Sequence, residues 1–299
     1  MIQEQEMKTV ISASRRTDLP LGYPGWMAGA IQQGWVRVKP PWGGREKVVS
    51  LRPEDVHTLV LWSKDYSRLL ANRGGLREAL AVYDHIFCHF TVTGLGGMPL
   101  EPGVPSWKEA MEQLPPLIRF VGHPHRLTVR FDPIIHWRED GVRSNLPYAE
   151  EIFKECVRQG VKDVRISFAT LYGKVLKRLG WSWYDPPLEE RLKIAGTLVD
   201  MGRSLGLTIY ACSDQALESV GALPSSCIDG RLLAELHPKG LLADTEKDRG
   251  QRKECGCTVS VEIGSYSQRC PGSCVYCYAN PFIPRRKASP GRRNTRSLD

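Results

Sequence analysis

The sequence predicts an α/β protein built on a parallel sheet. Short runs of β-branched and aromatic residues recur over about 200 residues, and the segments between them place their apolar residues at helical spacing. Alternation of this kind favours parallel strands joined by crossover helices. At 299 residues and 41% hydrophobic, the chain can bury one large core or two small ones. The pattern alone fits a doubly wound open sheet about as well as a barrel.

Taken in order, the strands fall at Thr9–Ala13, Leu59–Trp62, Ile86–Val92, Leu127–Phe131, Val164–Phe168 and Leu207–Cys212. Helices fall between them. Trp107–Val121 carries an apolar stripe that Pro115 and Pro116 must break or restart. Tyr148–Gln159 lines up Ala149, Ile152, Phe153, Cys156 and Val157, and Leu188–Leu205 lines up Leu192, Ala195, Leu198 and Val199. No repeat of fixed period is present.

In parallel sheets the reactive residues collect at the C-terminal ends of the strands. Here those ends are polar. Ser14, Arg15, Arg16 and Asp18 follow the first strand, Lys64 the second, and Thr91 and Thr93 the third. Strand alternation puts Thr128, Arg130 and Asp132 on one face, with Arg165 and Ser167 beside them. Lys64, Arg130 and Asp132 are the candidate catalytic or substrate-anchoring groups; an ion-pair network filling the sheet end is the plainer alternative. Gly94 and Gly96, after the third strand, would let a ligand approach the backbone or would simply form a turn.

Nine cysteines are present, and Cys270, Cys274 and Cys277 stand as C-x3-C-x2-C. Three thiolates at this spacing suit a 4Fe–4S cluster with one iron left open. A structural zinc site needs four ligands and usually shows paired C-x2-C, and a disulfide framework does not suit a long chain with an odd count. Cys88 and Cys156 fall on apolar faces and read as buried hydrophobes. Cys212, Cys227, Cys255 and Cys257 precede the triplet and make up the set for a second 4Fe–4S cluster or a zinc site.

The triplet looks like the cluster loop of radical S-adenosylmethionine (SAM) enzymes. Further runs resemble a bacterial and archaeal family of unknown function, DUF1848. They are Ile11 to Asp18, Leu61 to Lys64, Arg130 to Ile134, Cys227-Ile228-Asp229, Gln251-Arg252 with Cys255-Gly256-Cys257, and Cys274 to Asn280. The resemblance implies an incomplete TIM-like (β/α) barrel of six or so strands over residues 1–250. A cysteine-rich, cluster-binding segment, 251–281, would pack on its mouth. It also implies SAM bound at the open iron, cleaved with an electron from a separate donor, with Tyr276 near the adenine. Ser14, Arg15, Arg16, Gly94 and Gly96 would complete the cofactor site. A non-catalytic electron-transfer protein and a metal-stabilised nucleic-acid-binding protein are the alternatives.

The formal charge is +8, and Phe282–Asp299 carries six basic residues against the single acid Asp299. This tail is expected to be disordered, and it is the part that would contact nucleic acid. No apolar stretch reaches the length of a membrane span. Met1–Lys8 is polar and acidic, unlike an export signal, so a reducing cytoplasm is the expected location.

Overall fold

Eight parallel strands form the central sheet. They are β1 (Thr9–Ala13), β2 (Val56–Ser63), β3 (Ile86–Thr91), β4 (Leu127–Ile134), β5 (Asp163–Phe168), β6 (Thr208–Ala211), β7 (Leu223–Pro224) and β8 (Val261–Glu262). This computed structural model describes residues 7–41 and 43–283. The expected disorder and nucleic-acid role of the basic tail fall on residues 284–299, outside the described part.

Across the sheet the order is β8-β1-β2-β3-β4-β5-β6-β7. From β1 to β7 the order never reverses, and only β8 returns to lie beside β1, so these strands lack the switch point of a doubly wound sheet. Nor does the sheet close: β7 and β8 stand at opposite edges and do not pair, so the expected α/β class is present as a large parallel sheet without a closed barrel. The strand number also exceeds the expected six. The two additional strands, β7 and β8, are two residues each and show no run long enough to betray a strand. β8 brings the cysteine-rich segment into the sheet itself, through Ile11 opposite Val261 and Ser12 opposite Glu262.

Each long strand presents one apolar face to the helices. Ile11, Leu61, Phe90, Phe131 and Ile166 bury there in the main core. Against them pack α1 (Leu19–Gly22), α2 (Pro24–Gln33), α3 (Trp107–Glu112), α4 (Leu114–Val121), α5 (Ala149–Arg158) and α6 (Leu188–Leu205). Phe131 and Phe153 meet edge to face at 6.1 Å, and truncating either to Ala would cost about 3–5 kcal/mol. Pro115 and Pro116 lie in the first turn of α4, where a missing N–H leaves no helical bond unmade. The Ser106–Glu109 capping box starts α3 just upstream.

On the opposite face Val10, Val60 and Phe87 are covered by Cys227, Ile228, Leu233 of α7 (Gly230–Glu235), Ala243 and Cys257. Two small antiparallel units lie outside the main sheet: the hairpin Trp35–Val38 with Lys47–Ser50, and the trio Trp183–Tyr184, His136–Arg138 and Val142–Ser144. Their strands are two to four residues of mixed polarity, too short for alternation to show.

Candidate functional site

The loop bearing Cys270, Cys274 and Cys277 is fixed by its backbone to the C-terminal edge of the sheet. Val275 N–H donates to the Leu100 carbonyl at 2.9 Å, and Gly103 N–H donates to the Gly272 carbonyl at 3.2 Å. Gly103 has to be glycine, since a Cβ there would lie 2.0 Å from the Pro271 oxygen. Arg178 holds the carbonyls of Val275 and Cys277. Two of the sulfurs receive backbone N–H groups: Cys277 from Ala279 at 3.3 Å, and Cys270 from Asp18 and Gly272. Burial pushes the Cys270 thiol up to about 12, and raises Cys274 and Cys277 as well. Left to themselves these thiols stay protonated; making three thiolates here requires a cation among them.

Beneath the loop lies a buried carboxylate. Glu101, 1% exposed, accepts Lys64 Nζ at 3.0 Å, Thr93 Oγ1 at 2.5 Å and the Tyr276 hydroxyl on one oxygen. Burial would depress the Lys64 ammonium, but Glu101, with Cys274 and Asp132 beyond it, outweighs burial and raises its pKa. Lys64 also sits over the Tyr276 ring, 5.7 Å from the centroid. Its backbone is placed by Asp18, which accepts from Lys64 N–H at 2.9 Å and Ser63 Oγ at 2.7 Å. Burial pushes that Asp18 carboxyl up to about 6 despite these donors.

The other four cysteines come together over the polar face of the sheet. Cys212 and Cys227 sulfurs are 3.4 Å apart, Cys227 interacts with Cys257, and Cys257 with Cys255. Arg130 Nη1 donates to Cys227 Sγ at 2.7 Å, Nη2 reaches Cys212 Sγ at 3.8 Å, and the same group pairs with Asp132. Asp132 takes a second bond from Ser167 at 2.5 Å. Hydrogen bonds from Cys212 and Cys257, and then Arg130, hold the Cys227 thiol well below its ordinary range; Cys257 likewise lowers Cys255 to about 6. Among the described residues, no three Cys, His, Asp or Glu side chains surround a common point as ligands of a bound ion do.

Trp62 lies beside the four-cysteine group. Its ring lies under Arg130 (5.4 Å) and Arg15 (5.9 Å) and stacks on His89 at 4.1 Å. His89 Nε2 meets the Cys227 carbonyl at 2.6 Å and so donates, leaving Nδ1 buried without a partner among the described residues.

The loop after β1 is engaged by the cysteine-rich segment. Arg15 pairs with Glu262 at 3.4 Å and bonds Ser260 at 2.9 Å, Arg16 bonds the Gly264 carbonyl at 3.2 Å, and Ser14 caps Arg16 N–H at 3.0 Å. Gly94 and Gly96 have packing reasons of their own: a Cβ would meet the Tyr148 ring at 2.4 Å and the Pro105 oxygen at 1.7 Å. Their room is taken by the protein itself. The Tyr276 hydroxyl is likewise committed to Glu101. Cys88 and Cys156 are fully buried in the main core, apart from either cysteine group.

Glu101, Glu262, His89 and Arg178 escaped the sequence reading. Each is an isolated polar residue in a turn, strand or short helix end, and only its spatial partner gives it a role. A lone acid in the apolar run Val259 to Ile263 was the one available signal, for Glu262.

Residues 10–279 match the family model described as "Domain of unknown function (DUF1848)". No curated protein matches the chain.

Proposed function

From the premise that the chain belongs to the DUF1848 family, for which no function is given, we propose a function that rests on the site itself: an iron–sulfur protein with radical SAM-like chemistry. Cys270, Cys274 and Cys277 would hold a 4Fe–4S cluster, leaving one iron for SAM. The donor set fits: three cysteines on one loop, two with backbone N–H groups on their sulfurs, and Lys64 close enough to Cys274 to offset thiolate charge. When bound, such a cluster would supply one electron to cleave the carbon–sulfur bond of SAM, giving methionine and a 5′-deoxyadenosyl radical.

The chain's own residues do the rest. Glu101 ties Tyr276 and Lys64 together, so the cysteine loop is held against the strand ends where polar residues collect. This anchoring is the observation that carries the reading. Asp132, fixed by Arg130 and Ser167, would take a hydroxyl or amine of a polar substrate. Lys64 would place a proton or a positive charge beside it, and the sequential winding of the strands would make a partial barrel mouth around both.

The test is anaerobic purification, iron and sulfide counting, and incubation with SAM and dithionite. The expected result for this cluster is about four irons at the triplet, release of 5′-deoxyadenosine, and loss of both on Cys274→Ala. Iron-free protein would overturn the cluster. An intact cluster that never reacts with SAM would overturn the enzyme and leave an electron-transfer protein.

A further inference from the structure

We infer that Cys212, Cys227, Cys255 and Cys257 form a second, closed metal centre that takes a single tetrahedral ion of the zinc class, not a second iron–sulfur cube. The inference stands without the reading of the Cys270 loop.

Sulfur spacing carries it. Four thiolates, each about 2.3 Å from one ion, lie about 3.8 Å from one another. Cys212 and Cys227 sulfurs are 3.4 Å apart, and Cys257 interacts with both Cys227 and Cys255. One edge of a tetrahedron is therefore close to its final length, and the other two sulfurs are neighbours of that pair. A cube would hold its cysteine sulfurs well outside such contact, because an iron and a cube edge stand between each pair. Ion binding would draw the four sulfurs around a common point that they do not share as they stand.

The backbone is shaped to the same end. The ligands come from three separate places: the residue after β6, the segment ahead of α7, and the tight Cys255-Gly256-Cys257 turn. A Cβ on Gly256 would lie 2.6 Å from Ser226 Oγ and 3.0 Å from the Ser225 oxygen, so glycine lets the turn press onto the segment that carries Cys227. Ile228 N–H points at Cys257 Sγ at 3.4 Å.

Charge agrees. A divalent ion with four thiolates keeps two negative charges, and a buried dianion needs cations. Arg130 already donates to two of the sulfurs. Arg15 lies within electrostatic range of Cys257, and its Nη1 is buried with no partner among the described residues, a donor left over for a thiolate. The centre would staple the chain after β6 and ahead of α7 to the segment leading into β8, across the polar face of the sheet.

Metal analysis of the full-length, anaerobically purified protein tests this. The expected content is about one zinc per chain, lost at least tenfold in Cys227→Ser and Cys257→Ser while iron is unchanged, and retained in Cys274→Ser. Cobalt(II) loaded into the unmutated chain should give the intense visible bands of a tetrahedral tetrathiolate, which keeps the test open where a variant fails to fold. About eight irons and no zinc would overturn the single-ion site while sparing the Cys270 cluster; so would weak, octahedral cobalt spectra. Zinc present without any iron would support this centre and sink the proposed function.

Discussion

Arg130 stands where three partners meet: two cysteine sulfurs, the Asp132 carboxylate and the Trp62 ring. Burial alone would lower its pKa, yet Cys227 and Asp132 raise it well above the ordinary value, so its charge is permanent. Removing that charge leaves Asp132 half-buried, with Ser167 its remaining hydrogen-bond partner. Arg130→Met is therefore expected to cost about 3 kcal/mol of stability and to weaken metal binding at the four-cysteine site by about 10- to 100-fold, read by chelator competition. Arg130→Lys keeps the charge but not the two-pronged reach, so it should fall between. Unchanged metal affinity in both would remove Arg130 from the site. Strand alternation in the sequence put Arg130 and Asp132 on one polar face, as the structure has them. The sulfur partners, 82 and 97 residues away, were not legible.

Among the elements, the cysteine loop depends on one close approach. Gly103→Ala would drive a methyl into the Pro271 carbonyl and displace the loop without touching a cysteine. The expected cost is about 1–3 kcal/mol, with faster reaction of the loop thiols toward a disulfide reagent. Gly29→Ala is the control: it lies in α2 with nothing within 4 Å of a Cβ, and should gain up to about 1 kcal/mol. Equal thiol rates in the two variants would mean that the contact does not hold the loop. The proline restart between α3 and α4 and the full extent of α6 were readable in advance, because both follow from local rules. β7 and β8 were not, since two residues pair only because the sheet is already there to receive them.

At the scale of the whole molecule, the N-terminal end of the sheet carries a histidine group that sets pH dependence. His57 Nε2 donates to the Leu241 carbonyl at 3.0 Å, so its Nδ1 accepts from Thr58 at 2.7 Å; Thr58 in turn accepts from His85 Nδ1 at 2.9 Å. That leaves His85 Nε2 unprotonated and buried without a partner among the described residues. Burial first, then Arg126 and the neighbouring histidines, lower His85 to about 3, and burial also lowers His57 and His237. Folded His85 thus stays neutral where the unfolded chain takes up a proton. Its contribution is full above the unfolded value near 6.5 and is lost as pH falls toward 3. Between pH 6.5 and pH 5 the folded state should lose about 2 kcal/mol through His85, measured by urea unfolding, and His85→Gln should flatten that slope. An identical slope in the variant would place the effect elsewhere.

The parallel α/β class, the polar strand ends and the spacing of Cys270, Cys274 and Cys277 are legible along the chain, because each depends on residues near one another in it. Tertiary structure alone decided that the sheet stays open, that Glu101 is the hub under the cysteine loop, and that Cys212 and Cys227 meet Cys255 and Cys257. Periodicity records which way a side chain faces. Which distant side chain it meets is fixed only when the strands are packed side by side and the last segment folds back beside the first.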